Sequence, residues 1–297
     1  MAEPTTTKSE NAWLVLDQIT IRAGEQAAFP RTRWTWRPGE QWAILGANGS
    51  GKSLLALALC GKVPLFRGEI NFHLPPNDAA PAPNAIPEQS VALLSPQIQR
   101  EQVASESSFY QSRWHSGLSE GRRTVAQFLS QASVEELNPF EVGGHQGDPH
   151  RFRENRRRFN RWLGIEPLLR RKLAALSNGE QRKVFLVRTL LSAPRLLILD
   201  DPFGGLDRVT RTRLKTVIDR LMRGGLPVLL ITNRPDELPA GTTHLLLVHS
   251  RRVVAQGTKR ALLKHPLARE LATSLPFSSS ALSTKNQPRT RRTVPLI

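Results

Sequence analysis

Apolar and polar residues alternate along the first part of the chain. Leu14-Val15-Leu16 and Ile19-Thr20-Ile21-Arg22 alternate, and Arg33-Trp34-Thr35-Trp36-Arg37 alternates again before the turn Pro38-Gly39-Glu40. A period of two is that of a strand with one buried face, so residues 13–45 predict a β-rich segment. Gln41-Trp42-Ala43-Ile44-Leu45 is an apolar run of strand length, and Leu54 to Cys60 is a run of strong helix formers. Arg67 to Phe72 predicts a short strand, residues 75–88 a Pro/Ala/Asn loop, and Val91 to Leu94 a buried strand.

From about residue 100 to 175 the chain becomes polar and helical in pattern, with glycine breaks at Gly143-Gly144 and Gly147. Thr124 to Leu129 starts one helix. Arg151 to Leu163 predicts another, with Phe152, Phe159, Trp162 and Leu163 near helical spacing. After Leu176 strands and helices alternate: a helix over Gly179–Leu191, a buried strand Arg195–Leu199, a helix Arg211–Met222 and a strand Val228–Ile231. His244–Val248 and Val253–Ala255 predict a closing hairpin around Ser250-Arg251. Residues 1–11 predict a disordered leader and 266–297, rich in Ser, Thr, Pro and Arg, a flexible basic tail. One domain is thus expected over residues 12–265, with a helical subdomain at about 100–175.

An apolar fraction of 39% in 297 residues is enough for a sizeable core. No apolar run reaches the ~18 residues that span a bilayer, and Met1 to Glu10 has no apolar signal-peptide region. The single cysteine, Cys60, lies on the apolar helix and predicts a buried, inert thiol. These features predict a cytoplasmic protein, at most peripheral to the inner face of a membrane. The net charge of +17, from 42 Lys+Arg against 25 Asp+Glu, fits either a polyanionic partner or a general bias toward arginine. Nine Arg/Lys against two Glu fall between Arg151 and Lys172. That run reads as a solvated helix face, or as a docking surface for an acidic partner or nucleic acid.

Chemistry enters with Gly46-Ala47-Asn48-Gly49-Ser50-Gly51-Lys52-Ser53. This G-x-x-x-x-G-K-[ST] loop lies between a predicted strand and a predicted helix, the context the phosphate-binding loop needs. Gly46, Asn48, Gly49, Ser50 and Gly51 shape a loop whose backbone N–H groups turn inward on a phosphate chain, at a helix N-terminus. Lys52 would reach the β- and γ-phosphates of ATP, and the Ser53 hydroxyl would bind Mg²⁺. Downstream, Leu196-Leu197-Ile198-Leu199-Asp200-Asp201 is an apolar strand ending in two carboxylates. Asp200 stands where such proteins hold Mg²⁺ through its hydration shell. Between the two motifs, Leu176-Ser177-Asn178-Gly179-Glu180 reads as a helix start with Ser177 as N-cap and Glu180 as its capping-box partner.

Taken in order, these motifs and Gly204-Gly205-Leu206-Asp207 resemble the ATP-binding cassette (ABC) ATPases over about residues 13–260. Leu176 to Glu180 is similar to the family signature, Gly205-Leu206-Asp207 to its D-loop, and Gln97 or Gln99 to its Q-loop glutamine. Gly39 to Gly46 and the stretch around Asp200 are similar to the molybdate-transport and photorepair-type ATP-binding proteins. The resemblance implies an α/β fold: a P-loop NTPase core with a mostly parallel sheet, an N-terminal antiparallel β-subdomain and an inserted α-helical subdomain. It also implies a head-to-tail pair of cassettes, homo- or heterodimeric. Ser177, Gly179, Glu180 and Asp207 of one cassette would help bind the ATP of the other, and Gln97 would join the Mg²⁺ and catalytic groups.

At two catalytic positions the chain departs from the family. Asp201 stands where the family has the glutamate that orients the attacking water, and Thr232-Asn233 replaces its Thr-His. No aromatic residue stands at Arg22-Ala23, where the family places one against adenine. The departures predict firm Mg-ATP binding and slow hydrolysis. Three functions follow: the ATP-binding component of a transport system with a separate membrane permease, an ABC ATPase acting on nucleic acid or ribosomes, or a degenerate ATP-binding regulatory module.

Overall fold

A computed structural model describes residues 12–24, 26–74, 91–111, 123–135 and 148–273. The leader, the 75–88 loop, the glycine breaks at 143–147 and the chain beyond 273 lie outside these.

Two sheets form the frame. The smaller is antiparallel, in the order β2-β1-β4, from β1 (Leu14–Ala23), β2 (Gln26–Trp36) and β4 (Leu65–Phe72). The two alternating runs expected at the start are one strand. Leu14, Leu16, Ile19 and Ile21 are all buried, although two residues, Asp17 and Gln18, separate Leu16 from Ile19 where a regular strand has one. A bulge resolves the mismatch: the register shifts between Leu16 and Ile19, and Gln18 takes φ of 48°. The extra residue rephases the strand so that both halves bury the same face.

The larger sheet follows the order β5-β6-β7-β3-β8-β9. Its strands are β3 (Trp42–Leu45), β5 (Val91–Leu94), β6 (Leu196–Asp200), β7 (Val228–Thr232), β8 (His244–His249) and β9 (Arg252–Thr258). All neighbours pair in parallel except β8 with β9. β3, β6 and β7 are buried along their whole length, because a parallel sheet has both faces covered. Ala43, Leu45, Leu197, Leu199, Leu230 and Leu247 point into one core. Ile44, Ile198, Leu229, Ile231 and Leu246 point into the other, where Trp34 and Trp36 pack from the smaller sheet and Trp34 meets Trp42 of β3. Cys60 lies in this second core, and burial pushes its thiol up to about 11.

Among the described residues the α-helices are α1 (Lys52–Leu59), α2 (Pro96–Gln111), α3 (Val125–Phe128), α4 (Gln131–Glu135), α5 (Pro149–Leu163), α6 (Asn178–Leu191), α7 (Arg208–Arg223), α8 (Lys259–Leu262) and α9 (Pro266–Thr273). α2 to α5 follow β5 and precede α6, so the helical insertion begins a few residues before position 100. α5 buries Phe159 and Leu163 and ends at Gly164 in the left-handed conformation, the usual helix stop. One expectation needs correcting. The tail does not start at 266, because α9 runs to Thr273 and buries Ala268 and Leu271 in the first core. Among the described residues no helix is long and apolar enough to cross a membrane.

Candidate functional site

The site grows from the end of β3. Gly46 must be glycine, since a Cβ there would collide with the Val248 carbonyl oxygen and crowd Ser50 Oγ. Gly49 and Gly51 take φ of 75° and 102°, left-handed values that glycine adopts without strain. The loop then enters α1 with Gly51 as its N-cap and no side-chain cap. The first N–H groups of the helix are therefore free to receive an anion. Ser50 is buried beneath the loop.

Lys52 is buried, and its Nζ donates to the Gly46 and Ala47 carbonyl oxygens, both at 2.8 Å. Burial lowers its pKa, opposed by the nearby Asp200 and Asp201. Asp200 ends β6, two strands from β3, and burial raises its pKa. The Ser53 hydroxyl, which hydrogen-bonds to it, and Lys52 pull the other way. Asn233 follows β7, and its Nδ2 donates to Asn48 Oδ1 in the loop (3.1 Å). Gln97, on the first turn of α2, is exposed to the same cleft and donates to Glu101 (2.9 Å). Gln99 is buried and does not line it. The structure thus brings Asn48, Gly49, Gly51, Lys52, Ser53, Gln97, Asp200, Asp201 and Asn233 into one cleft of about 780 Å³.

Asp201 is held unusually. Its φ is 47°, a strained value for a residue with a side chain. Its N–H donates to the Ile231 carbonyl (2.9 Å), and its carboxylate accepts from the Gly204 N–H. Burial raises its pKa, opposed first by Arg182. Arg182, buried on α6, donates to the carbonyl oxygens of Asp201 (3.3 Å), Pro202 (3.0 Å) and Gly204 (2.5 Å).

Four residues of interest stand elsewhere. Ser177, Gly179, Glu180 and Asp207 do not line the cleft. Ser177 and Glu180 form the capping box: Ser177 Oγ accepts from the Glu180 N–H (3.3 Å), and Glu180 Oε2 accepts from the Ser177 N–H (2.8 Å). The bond from the Ser177 N–H, helped by Arg171, holds the Glu180 carboxyl below its ordinary range. Gly179 packs on Leu206, which a Cβ would approach to 3.3 Å. Asp207 is the N-cap of α7 and accepts from the Thr210 N–H (2.9 Å). One chain therefore presents a glycine loop in a cleft and, away from it, an exposed helix start closed by its own capping box.

Residues 30–204 match the family described as ABC transporter. The chain belongs to the ABC transporter family. It is 31% identical over 278 residues to the ABC transporter ATP-binding protein ModF of Escherichia coli K12, covering 94% of this chain and 51% of that protein. The chain thus spans about half the length of that relative. Over 105 residues, 35% of this chain and 29% of the relative, it is 39% identical to the molybdenum import ATP-binding protein ModC of Rhodobacter capsulatus. The fold matches that of cbiO1 from Clostridium perfringens, part of the ABC transporter complex cbiONQ, with a TM-score of 0.63 at 21% identity. That match covers 90% of this chain and 97% of cbiO1. The chain is an α/β ABC cassette, and ATP binding and hydrolysis are general to its family.

Two cassette residues escape sequence reasoning. Arg182 reads as one more cation in a mixed helix, and only the fold turns it onto three carbonyls. Arg251 lines the cleft from the β8–β9 turn, about 200 residues from the loop it touches. Arg22, the nearest cation to the missing aromatic, is exposed, donates to the Gly24 carbonyl and does not line the cleft.

Proposed function

We propose that the chain is the ATP-binding component of a transport system, binding Mg-ATP between two head-to-tail cassettes and hydrolysing it slowly. The observation that carries this reading is the separation of the two half-sites. The cleft holds the groups for one triphosphate, and the Ser177–Glu180 helix start, exposed on the same chain, suits the triphosphate of another cassette. Lys52 and the loop N–H groups bind the β- and γ-phosphates. The Ser53 hydroxyl, Asp200 and Gln97 hold Mg²⁺, which would neutralise charge on the phosphates. The buried Asp200 carboxylate and the exposed Ser53 hydroxyl bonded to it are oxygen donors that suit a hard cation. Among the described residues no cluster of three or more His, Cys, Asp or Glu is built for a metal, and Mg²⁺ shared between a carboxylate and substrate phosphates needs none. Asp201 orients the attacking water from a poor position, and Asn233 donates to the γ-phosphate without carrying charge near pH 7.

Tagged Asp201→Asn chain, incubated with Mg-ATP in cell extract, is expected to retain a second cassette, either another copy or a different one, together with a permease. Retention should vanish without ATP or when Ser177→Arg is added. If no cassette is retained, or if ATP makes no difference, the reading fails.

A second reading, action on nucleic acid, rests on a groove of about 530 Å³ between α5 and α7. Trp162 lies in it, with Arg220 at 4.8 Å and Arg158 at 5.4 Å over its ring, and Val209 is 79% exposed at its edge. Among the described residues, none of Arg158, Arg208, Arg213 and Arg220 pairs with a carboxylate. Four phosphate contacts to a single strand give a log–log salt slope of about −3. That slope, abolished by Arg213→Glu with Arg220→Glu, would support this reading, and no oligonucleotide binding at low salt removes it.

A further inference from the structure

Lys62, Arg100 and Arg251 also line the cleft, and the Arg251 side chain hydrogen-bonds to neither the phosphate loop nor the carboxylates. Arg251 occupies the turn between β8 and β9 with φ of 58°, beside Ser250 at 47°. Its backbone is strapped on two sides. The N–H donates to the Ser50 carbonyl (2.8 Å), and the carbonyl accepts from the Phe29 N–H (2.7 Å). Its Cγ lies 3.2 Å from where a Cβ on Gly51 would stand, so its stem lies against the phosphate loop itself. The guanidinium donates to neutral Gln26 Oε1 (2.9 Å) and, among the described residues, meets no carboxylate. A planar, uncompensated cation is thus fixed at the wall of an anion site.

The sheet order says which part of a nucleotide it meets. The loop leaves β3. Asp200, Asp201 and Asn233 come from β6 and β7, on one side of β3, whereas Arg251 comes from β8 and β9, on the other. A triphosphate with its terminal phosphate and metal toward β6 and β7 directs its nucleoside toward β8 and β9. We infer that Arg251 is the nucleoside contact of this cassette, its guanidinium plane lying on the purine ring. An arginine stacks on a ring through both its plane and its charge. The inference rests on the reading of the cleft as an ATP site.

Calorimetric titration with ATP and with inorganic tripolyphosphate separates the two. Wild-type chain binds both. Arg251→Ala weakens ATP about tenfold and leaves tripolyphosphate within about twofold, and the retained tripolyphosphate affinity shows that the loop is folded. Arg251→Lys keeps the charge, loses the plane and falls with the alanine variant; it decides the matter if the alanine variant does not fold. Equal losses for both ligands would make Arg251 a phosphate contact and overturn the inference, as would unchanged ATP affinity in either variant. Wild-type chain that binds neither ligand would refute the ATP site itself.

Discussion

Lys52→Ala lowers the affinity for ATP by at least about a hundredfold while the chain stays folded. Lys52 Nζ sits buried, donating to two carbonyl oxygens of the loop it belongs to. A triphosphate offers that ammonium anionic oxygens in place of neutral carbonyls. Hydrogen bonds to charged groups contribute about 1.5–3 kcal/mol each, so two of them account for about two to four orders of magnitude in binding. Burial, which lowers the Lys52 pKa, also keeps water from competing for the bond. The fold tolerates the change because Leu55, Ala56 and Leu59 anchor α1 in the core, whereas the Lys52 ammonium hydrogen-bonds to carbonyls of its own loop. Calorimetry gives the affinity and thermal unfolding the control. ATP binding within about threefold of wild type would mean that this cleft is not the nucleotide site.

Those groups were legible in the sequence because they are local. A strand, a glycine loop and a helix are contiguous, so the order of residues from Gln41 to Cys60 carries the whole feature. The same holds for the Ser177–Glu180 capping box and for Asp200 at the end of an apolar strand. Buried parallel strands also read correctly, as continuous apolar runs. What escaped depends on contacts across the fold. Gln97 and Gln99 were equivalent in sequence, yet two residues apart on α2 they point about 200° apart, and only Gln97 meets the cleft. The β1 bulge could not be read, because the Leu16–Ile19 spacing suits two short strands as well as one rephased strand. α9 reads as tail in the sequence because it buries only Ala268 and Leu271, too few for a clear stripe.

Asp201→Glu is expected to raise kcat by about tenfold to a hundredfold with little change in KM. The argument starts from where the Asp201 carboxylate is. It lines the cleft but is tied back to its own turn, accepting from the Gly204 N–H. It sits so close that a side chain at position 204 would strike it. The turn is rigid, since Arg182 holds three of its carbonyls and the Asp201 N–H is fixed to Ile231. The backbone therefore cannot shift to bring a short carboxylate forward. A glutamate adds about 1 Å of reach, and a displacement of that size in a catalytic group changes rates by roughly a hundredfold. The longer arm also cannot keep the Gly204 bond without crowding, which favours the outward position. Lys52, Ser53 and Asp200 are untouched, so substrate binding holds while transition-state stabilisation improves, the pattern of a kcat effect at constant KM. Asn233 remains uncharged, which caps the gain below that of a cassette with both groups restored. Asp201→Asn should remove most of the remaining turnover. Wild-type turnover as fast as that of ordinary cassettes, with neither variant changing it, would show that Asp201 does not orient the water.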